Sequence, residues 1–236
     1  APVLEKVAAA YKGRAKVVAG AGSNSTAETI DSVKRVRELG ADGALIVTPY
    51  YNKPTQAGLV EHYRAIAKAH PGFSLIAYNV PGRTGVDLLP ETALRLCDIP
   101  EVVALKEATG LALRALDVYE KCGDRLTLLS GDDFVVAPLI ACGARGVISV
   151  SANVAPRQMA DLVASGLKGD FKRARDLQLL LAPLHRLLFI ESNPIPVKMA
   201  LHLMGRFTAE IRAPLTPMTE ANAAKLKEEL QRLKLI

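Results

Sequence analysis

The 236-residue chain has no tryptophan, and only 5% of its residues are aromatic. Stacked-ring platforms of the kind that hold bases or sugars are therefore poorly supplied. Its three cysteines, Cys97, Cys122 and Cys142, are odd in number and far apart in sequence. They form no metal-ligand or redox-pair motif, which fits a reducing, cytoplasmic compartment. No apolar run is long enough to span a bilayer, and no charged-then-apolar leader opens the chain. His62, His70, His185 and His202 lie in helical contexts without metal spacing, so no metal site is expected. The formal charge is +6, but the basic residues are scattered. The densest stretch, Lys168 to Arg175, is interrupted by Asp170 and reads as a solvated helix start. That pattern argues against nucleic-acid binding, which needs a clustered footprint.

What is present is a repeated unit. Half the residues are hydrophobic and 23% are charged, enough for a substantial core within one large domain. Apolar strand candidates occur at Lys16–Ala21, Gly43–Thr48, Phe73–Val80, Val102–Glu107, Leu126–Ser130 and Gly146–Val150. Helical stripes lie between them: Ile30, Val33, Val36 and Leu39; then Leu59, Tyr63 and Ile66; then Leu113, Leu116 and Tyr119. Ser25-Thr26-Ala27-Glu28 has the spacing of a capping box. Strands alternating with helices indicate parallel βαβ units of an α/β fold. Such a run builds either a closed barrel or a doubly wound sheet. No Gly-x-Gly-x-x-Gly follows a strand, which lowers the dinucleotide-binding option. Polar or special residues follow nearly every strand: Gly20 to Asn24, Thr48 to Asn52, Tyr78-Asn79, Lys106-Glu107, Ser130 to Asp133 and Ser149 to Asn153. A barrel brings all such endings to one mouth, whereas an open sheet joins only those at its switch point. The barrel is the better fit.

Two of these endings carry the chemistry. In Val102-Val103-Ala104-Leu105-Lys106-Glu107, period-two alternation places Lys106 on the face of Ala104 and Val102, with Glu107 opposite beside Leu105. Ala104 is small and leaves room for a long side chain. An ammonium held among apolar groups loses solvation, its pKa falls, and the neutral amine can form an imine with a ketone. Tyr78, ending the preceding strand, would supply a proton-transfer group. The competing reading is a lysine snorkelling from a strand end.

The motifs Thr48-Pro49-Tyr50-Tyr51-Asn52, Tyr78 to Gly85, Lys106 to Thr109, Ser130-Gly131-Asp132-Asp133, Gly146 to Ser149 and Asn193 to Lys198 occur in order across the chain. Together they resemble the dihydrodipicolinate synthase family of pyruvate-dependent lyases. The resemblance implies a (β/α)8 TIM barrel with a C-terminal helical extension. It implies condensation of pyruvate with L-aspartate 4-semialdehyde in lysine and diaminopimelate biosynthesis, with a covalent Schiff base and no cofactor. It makes Lys106 the Schiff-base lysine, Tyr78 a proton relay, and Tyr51 a residue inserted into a neighbouring subunit's site. Arg83 would bind the semialdehyde carboxylate, and Gly131 and Ile148 would line the pyruvate pocket. Asn24, Glu28 and Tyr50 match a feedback site for lysine found in part of the family. The resemblance also implies a homodimer or homotetramer.

Arg83 separates close relatives, because a guanidinium grips a carboxylate with two parallel hydrogen bonds. N-acetylneuraminate lyases and keto-deoxy-sugar aldolases share the lysine and tyrosine motifs but generally lack this arginine. One departure stands out. The first strand found here corresponds to the family's third, so six of eight βα units are recognisable, over residues 1–152. Residues 153–236 match a last barrel helix and the helical extension. The family's Gly-Thr-Thr-Gly-Glu loop has no counterpart. A catalytically silent remnant acting as an assembly partner is therefore the alternative to an enzyme.

Overall fold

A computed structural model describes residues 2–236 in two compact units. The first runs to Gly131 and takes in Cys142–Arg145; the second comprises Asp132–Ala141 and Gly146–Ile236. No described helix is long and apolar enough to cross a membrane.

In the first unit, helices and strands alternate: α1 (Pro2–Tyr11), β1 (Val18–Gly20), α2 (Thr26–Glu38), β2 (Gly43–Val47), α3 (Gln56–Ala69), β3 (Ser74–Asn79), α4 (Pro81–Thr84), α5 (Pro90–Leu96), β4 (Val102–Glu107), α6 (Ala112–Cys122) and β5 (Thr127–Ser130). Each crossover returns the chain to the same end, so neighbouring strands pair in parallel and in chain order, β1 through β5. This is the pairing of a barrel wall, as the strand endings predicted.

Lateral register sorts the side chains into two faces. Val47, Tyr78, Lys106 and Leu129 are partners across β2–β5 and are all half-buried. One residue lower, Ile46, Ala77, Leu105 and Leu128 are partners on the opposite, helix-facing side and are buried. Leu59, Tyr63 and Ile66 of α3 are buried as predicted, and Tyr63 donates its hydroxyl hydrogen to the Ile46 carbonyl at 2.9 Å. Burying each such large apolar side chain contributes roughly 1.5–3 kcal/mol.

Three local expectations are corrected. A register shift lets Leu75 pair with Val102 and Ile76 with Ala104. The extra residue, Val103, is 41% exposed, and Val102 joins the Leu105 face instead of that of Lys106. In α6 the expected stripe fails. Leu113 and Leu116 are exposed, and the buried face is Ala115, Val118 and Cys122. The helix turns its smaller residues inward, where Cys122 neighbours Cys97. The capping box at α2 is half-formed. Ser25 Oγ accepts the Glu28 amide, but the Glu28 carboxylate accepts from Ser23 Oγ at 2.7 Å rather than from Ser25 N–H.

The second unit holds α7 (Val136–Ala141), the two-residue strand β6 (Gly146–Val147), α8 (Pro156–Leu167), α9 (Phe171–Leu187), α10 (Ile195–Leu203) and α11 (Glu220–Arg232). Its core is built on Leu162, Leu181, Leu184, Leu226 and Leu230. The strand stops short of Val150 because Asp133 Oδ2 captures the Val150 and Ser151 amides, at 3.1 and 2.8 Å. Ser151 Oγ in turn meets His185 Nδ1 at 2.7 Å. The Lys168–Arg175 stretch is a helix junction, with Lys168 closing α8 and Asp170 capping α9 through the Arg173 amide.

Candidate active site

Tyr78 and Lys106 are lateral partners at the C-terminal ends of β3 and β4. Lys106 Nζ lies 4.0 Å from the centroid of the Tyr78 ring. The lysine is half-buried, with its ammonium over an aromatic face, an arrangement electrostatics favours. Burial pushes the Tyr78 hydroxyl up, and the Arg83 guanidinium pulls it back. The field of Arg83 therefore reaches the tyrosine even though its own side chain is exposed.

Gly131 fits against the lysine stem. A Cβ there would sit 2.7 Å from Ala108 Cβ, 3.0 Å from Lys106 Cε and 3.1 Å from Lys106 Cγ. Only a residue without a side chain lets Lys106 keep this path. Lys106, Tyr78 and Gly131 thus form one group, with Arg83 at its edge.

Arg83 rides on the short helix α4, which Pro81 opens at φ-compatible positions and Gly85 closes at φ 74°. Thr84 carbonyl accepts the Tyr51 amide at 3.2 Å, tying this turn to the Tyr50–Lys53 turn. Asn52 Nδ2 donates to the Asn24 carbonyl at 2.9 Å on the other side. Tyr51 and Lys53 adopt positive φ of 72° and 46°, uncommon for residues with side chains. Tyr51 is 87% exposed, so it lies outside the Lys106 group. Tyr50, Asn24 and Glu28 line the same run of turns, with Tyr50 and Glu28 exposed and Asn24 half-buried. Ile148 belongs to the second unit, half-buried just beyond β6.

Sequence reading missed a buried polar network behind the pair. Asn79 Nδ2 donates to Glu107 Oε2 at 3.0 Å and to Asp87 Oδ1 at 2.8 Å, while Asn79 Oδ1 accepts the Leu88 amide at 3.0 Å. Arg114 grips Asp87 with two bonds of 2.8 Å. That grip, then the Asn79 bond, holds the Asp87 carboxyl below the usual range despite partial burial. Glu107 Oε1 accepts the Thr109 amide at 2.7 Å. Burial raises the Glu107 carboxyl, against the pull of Asn79, Thr109 and Arg114. Asn79 and Glu107 adjoin the two motif residues and were visible as such. Nothing in the sequence linked Asp87 to Arg114, 27 residues on.

A sequence profile of the dihydrodipicolinate synthetase family matches residues 1–233. The 4-hydroxy-tetrahydrodipicolinate synthase of Geobacter sulfurreducens is 54% identical over 94% of this chain and 77% of its own. Among solved structures, a chloride-inhibited dihydrodipicolinate synthase from Acinetobacter baumannii, complexed with pyruvate, is 46% identical. It superposes with a TM-score of 0.97 over all of this chain and 80% of its own. A monomeric dihydrodipicolinate synthase variant superposes equally well, at 40% identity, over 100% of this chain and 79% of its own. With the profile spanning nearly every residue and the fold matching throughout, this chain belongs to the dihydrodipicolinate synthetase family.

Proposed function

We propose that Lys106, Tyr78 and Arg83 carry the condensation for which these relatives are named, joining pyruvate to L-aspartate 4-semialdehyde to give 4-hydroxy-tetrahydrodipicolinate. The observation that carries the assignment of roles is the in-register pairing of Lys106 with Tyr78, 4.0 Å from amine to ring centroid. Lys106 gives up a proton, attacks the pyruvate ketone as the neutral amine and expels water, forming a protonated imine. Loss of a methyl proton gives an enamine, which attacks the semialdehyde carbon while the new alkoxide takes up a proton. The substrate amine then displaces Lys106 and closes the ring. Tyr78 is the hydroxyl placed to move protons beside the imine. Arg83, whose charge already acts on Tyr78, holds the semialdehyde carboxylate. That grip favours an amino-acid aldehyde over the sugar substrates of related aldolases.

In this reading residues 1–152 supply βα units three to eight of the family barrel. Residues 153–236 supply its last helix and helical extension. Gly131 lines the pyruvate pocket beside Lys106, and Tyr51 acts across a subunit interface in a cytoplasmic homodimer or homotetramer. The imine is the only activated form of pyruvate the chemistry needs, so no further cofactor enters. Asn24, Glu28 and Tyr50 bind lysine weakly or not at all in this reading; Glu28 Oε2 accepts from Ser23 Oγ.

The test is chemical. Borohydride with pyruvate should reduce the imine and fix a covalent adduct on Lys106, located by mass spectrometry. Lys106→Ala should abolish it. So should Lys106→Arg, because guanidinium stays protonated. An adduct elsewhere, or none with the native protein, overturns the assignment.

A further inference from the structure

Four buried polar residues form a row across adjacent strands: Thr48, Asn79, Glu107 and Ser130, each at most 1% exposed. Asn79 partners Glu107, Glu107 partners Ser130, and the Thr48 amide donates to the Tyr78 carbonyl. Each lies one residue beyond the Val47–Tyr78–Lys106–Leu129 row and faces the helices. Burying a polar row costs stability unless it is hydrogen-bonded, so its bonds identify what it holds.

Asn79 is the centre. Its amide satisfies both donor hydrogens and one acceptor lone pair, in three directions. One bond reaches Glu107 on β4, next to Lys106. The other two reach Asp87 and the Leu88 amide, at the far end of the segment that begins at Asn79 itself. A single side chain thereby closes the base of the 80–87 loop, and that loop carries Arg83. Arg114 on α6 anchors the other side through Asp87 and the Leu88 carbonyl.

We propose that Asn79 is a positioning residue: its amide staples the Arg83 loop to the ends of β3 and β4, so that the arginine and the Tyr78–Lys106 pair share one rigid frame. This rests on the proposed roles of those three residues. The lysine stem is held separately, by its close approach to Gly131. Imine formation should therefore survive loss of the staple better than use of the second substrate.

Three variants read this out. Asn79→Ala removes all three bonds. Asn79→Asp keeps the acceptor for Leu88 but turns a carboxylate toward Asp87 and Glu107. Asp87→Ala changes a side chain that is 33% exposed and leaves the buried amide in place, so it keeps the test open if the buried variants do not fold. Expected in Asn79→Ala and Asn79→Asp is a rise of about tenfold or more in KM for aspartate semialdehyde, and in Asp87→Ala, which removes one of the three bonds, a smaller rise; pyruvate trapping should slow only a few-fold in each. Asn79→Asp should recover as pH falls and one of its three facing carboxyls takes up a proton, with Arg114 the cation beside them. In Asn79→Asp/Glu107→Gln, a donor–acceptor pair is restored with reversed polarity, and part of the lost affinity should return.

Equal loss in trapping and semialdehyde use, or unchanged KM in Asn79→Ala and Asp87→Ala, overturns the proposal. If the native protein itself forms no adduct on Lys106, the assigned chemistry falls instead. The staple is then judged by hydrogen exchange of residues 80–88, which Asn79→Ala should accelerate while β4 stays protected. Unchanged exchange there overturns it.

Discussion

Lys106 Nζ sits 4.0 Å from the centroid of the Tyr78 ring, and the two residues are direct lateral partners on adjacent parallel strands. A register error of one residue would turn either side chain to the opposite face. The pair is thus as well fixed as the sheet itself, and the ring and the hydroxyl of Tyr78 can be tested apart. Tyr78→Phe keeps the ring beneath the ammonium and removes only the proton-transfer group. Turnover should fall by roughly two to four decades while the adduct with pyruvate still forms. Loss of the adduct along with turnover, seen by mass spectrometry after borohydride, would mean the hydroxyl is needed to build the imine as well.

Gly131→Ala should act through the lysine stem. The added methyl would meet Ala108 Cβ at 2.7 Å and Lys106 Cε at 3.0 Å. Overpacking of this kind costs about 1–3 kcal/mol, measurable as a lower urea midpoint. Trapping should also slow, because the amine is displaced. Adding Ala108→Gly relieves the shorter contact but not the one with Lys106. Stability should recover in the double variant while trapping stays slow. Recovery of both would show that crowding at Ala108 alone was responsible.

Arg83→Ala should weaken use of aspartate semialdehyde far more than pyruvate trapping. A lost charge-assisted contact costs about 1.5–3 kcal/mol, or one to two decades in affinity. The same change should raise the Tyr78 hydroxyl further, since the arginine field now pulls it down. An ultraviolet titration of tyrosinate, compared with Tyr78→Phe, reads that shift. Equal loss in both substrate assays would assign Arg83 to structure.

The strands, their order and the Lys106–Tyr78 pair were legible because period-two alternation and polar strand ends are local signals. β4 was placed to the residue, Val102–Glu107. The bulge at Val103 was not, since a register shift depends on the partner strand. The α6 face was misread for a related reason. Periodicity favours the large leucines, whereas the buried face takes Ala115, Val118 and Cys122, and only packing distinguishes them. Asn79 and Glu107 were in view as neighbours of motif residues. Their network was hidden because its other half, Asp87 and Arg114, is assembled by tertiary folding alone.

His62 gives the fold a pH dependence unrelated to catalysis. Burial holds its imidazole down to about 4, with Nδ1 paired to Thr26 Oγ1 at 2.9 Å and Nε2 buried without a partner among the described residues. The unfolded chain binds this proton near pH 6.5 and the folded chain only near 4. Stability is therefore fully present above pH 6.5 and lost as pH falls toward 4. His62→Gln cannot titrate. Between pH 7.5 and 4.5 its stability loss should be smaller than the native protein's by roughly 2–3 kcal/mol. Parallel urea melts at the two pH values measure this. Equal losses would mean that water reaches His62 in the folded state.

Tyr51 ties local strain to assembly. It adopts φ 72° and is 87% exposed, an expensive way to present an aromatic ring to water. The turn is nonetheless held on both sides, by Thr84 through the Tyr51 amide and by Asn24 through Asn52. A rigid turn displaying two adjacent tyrosines suits an interface, where tyrosine is enriched. An isologous dimer would bury the same loop of both copies. Light scattering should therefore give a mass of at least two chains at micromolar concentration, and a stable species of about 25.2 kDa would rule this out. Tyr51→Phe should lower turnover without dissociating the dimer, if its hydroxyl works in the neighbouring site. Mixing impaired Tyr51→Phe chains with inactive Lys106→Ala chains should then restore one site of two. In that site the intact lysine of one chain meets the intact tyrosine of the other. No recovery, with mixed dimers verified by mass, would place the hydroxyl's action within its own subunit.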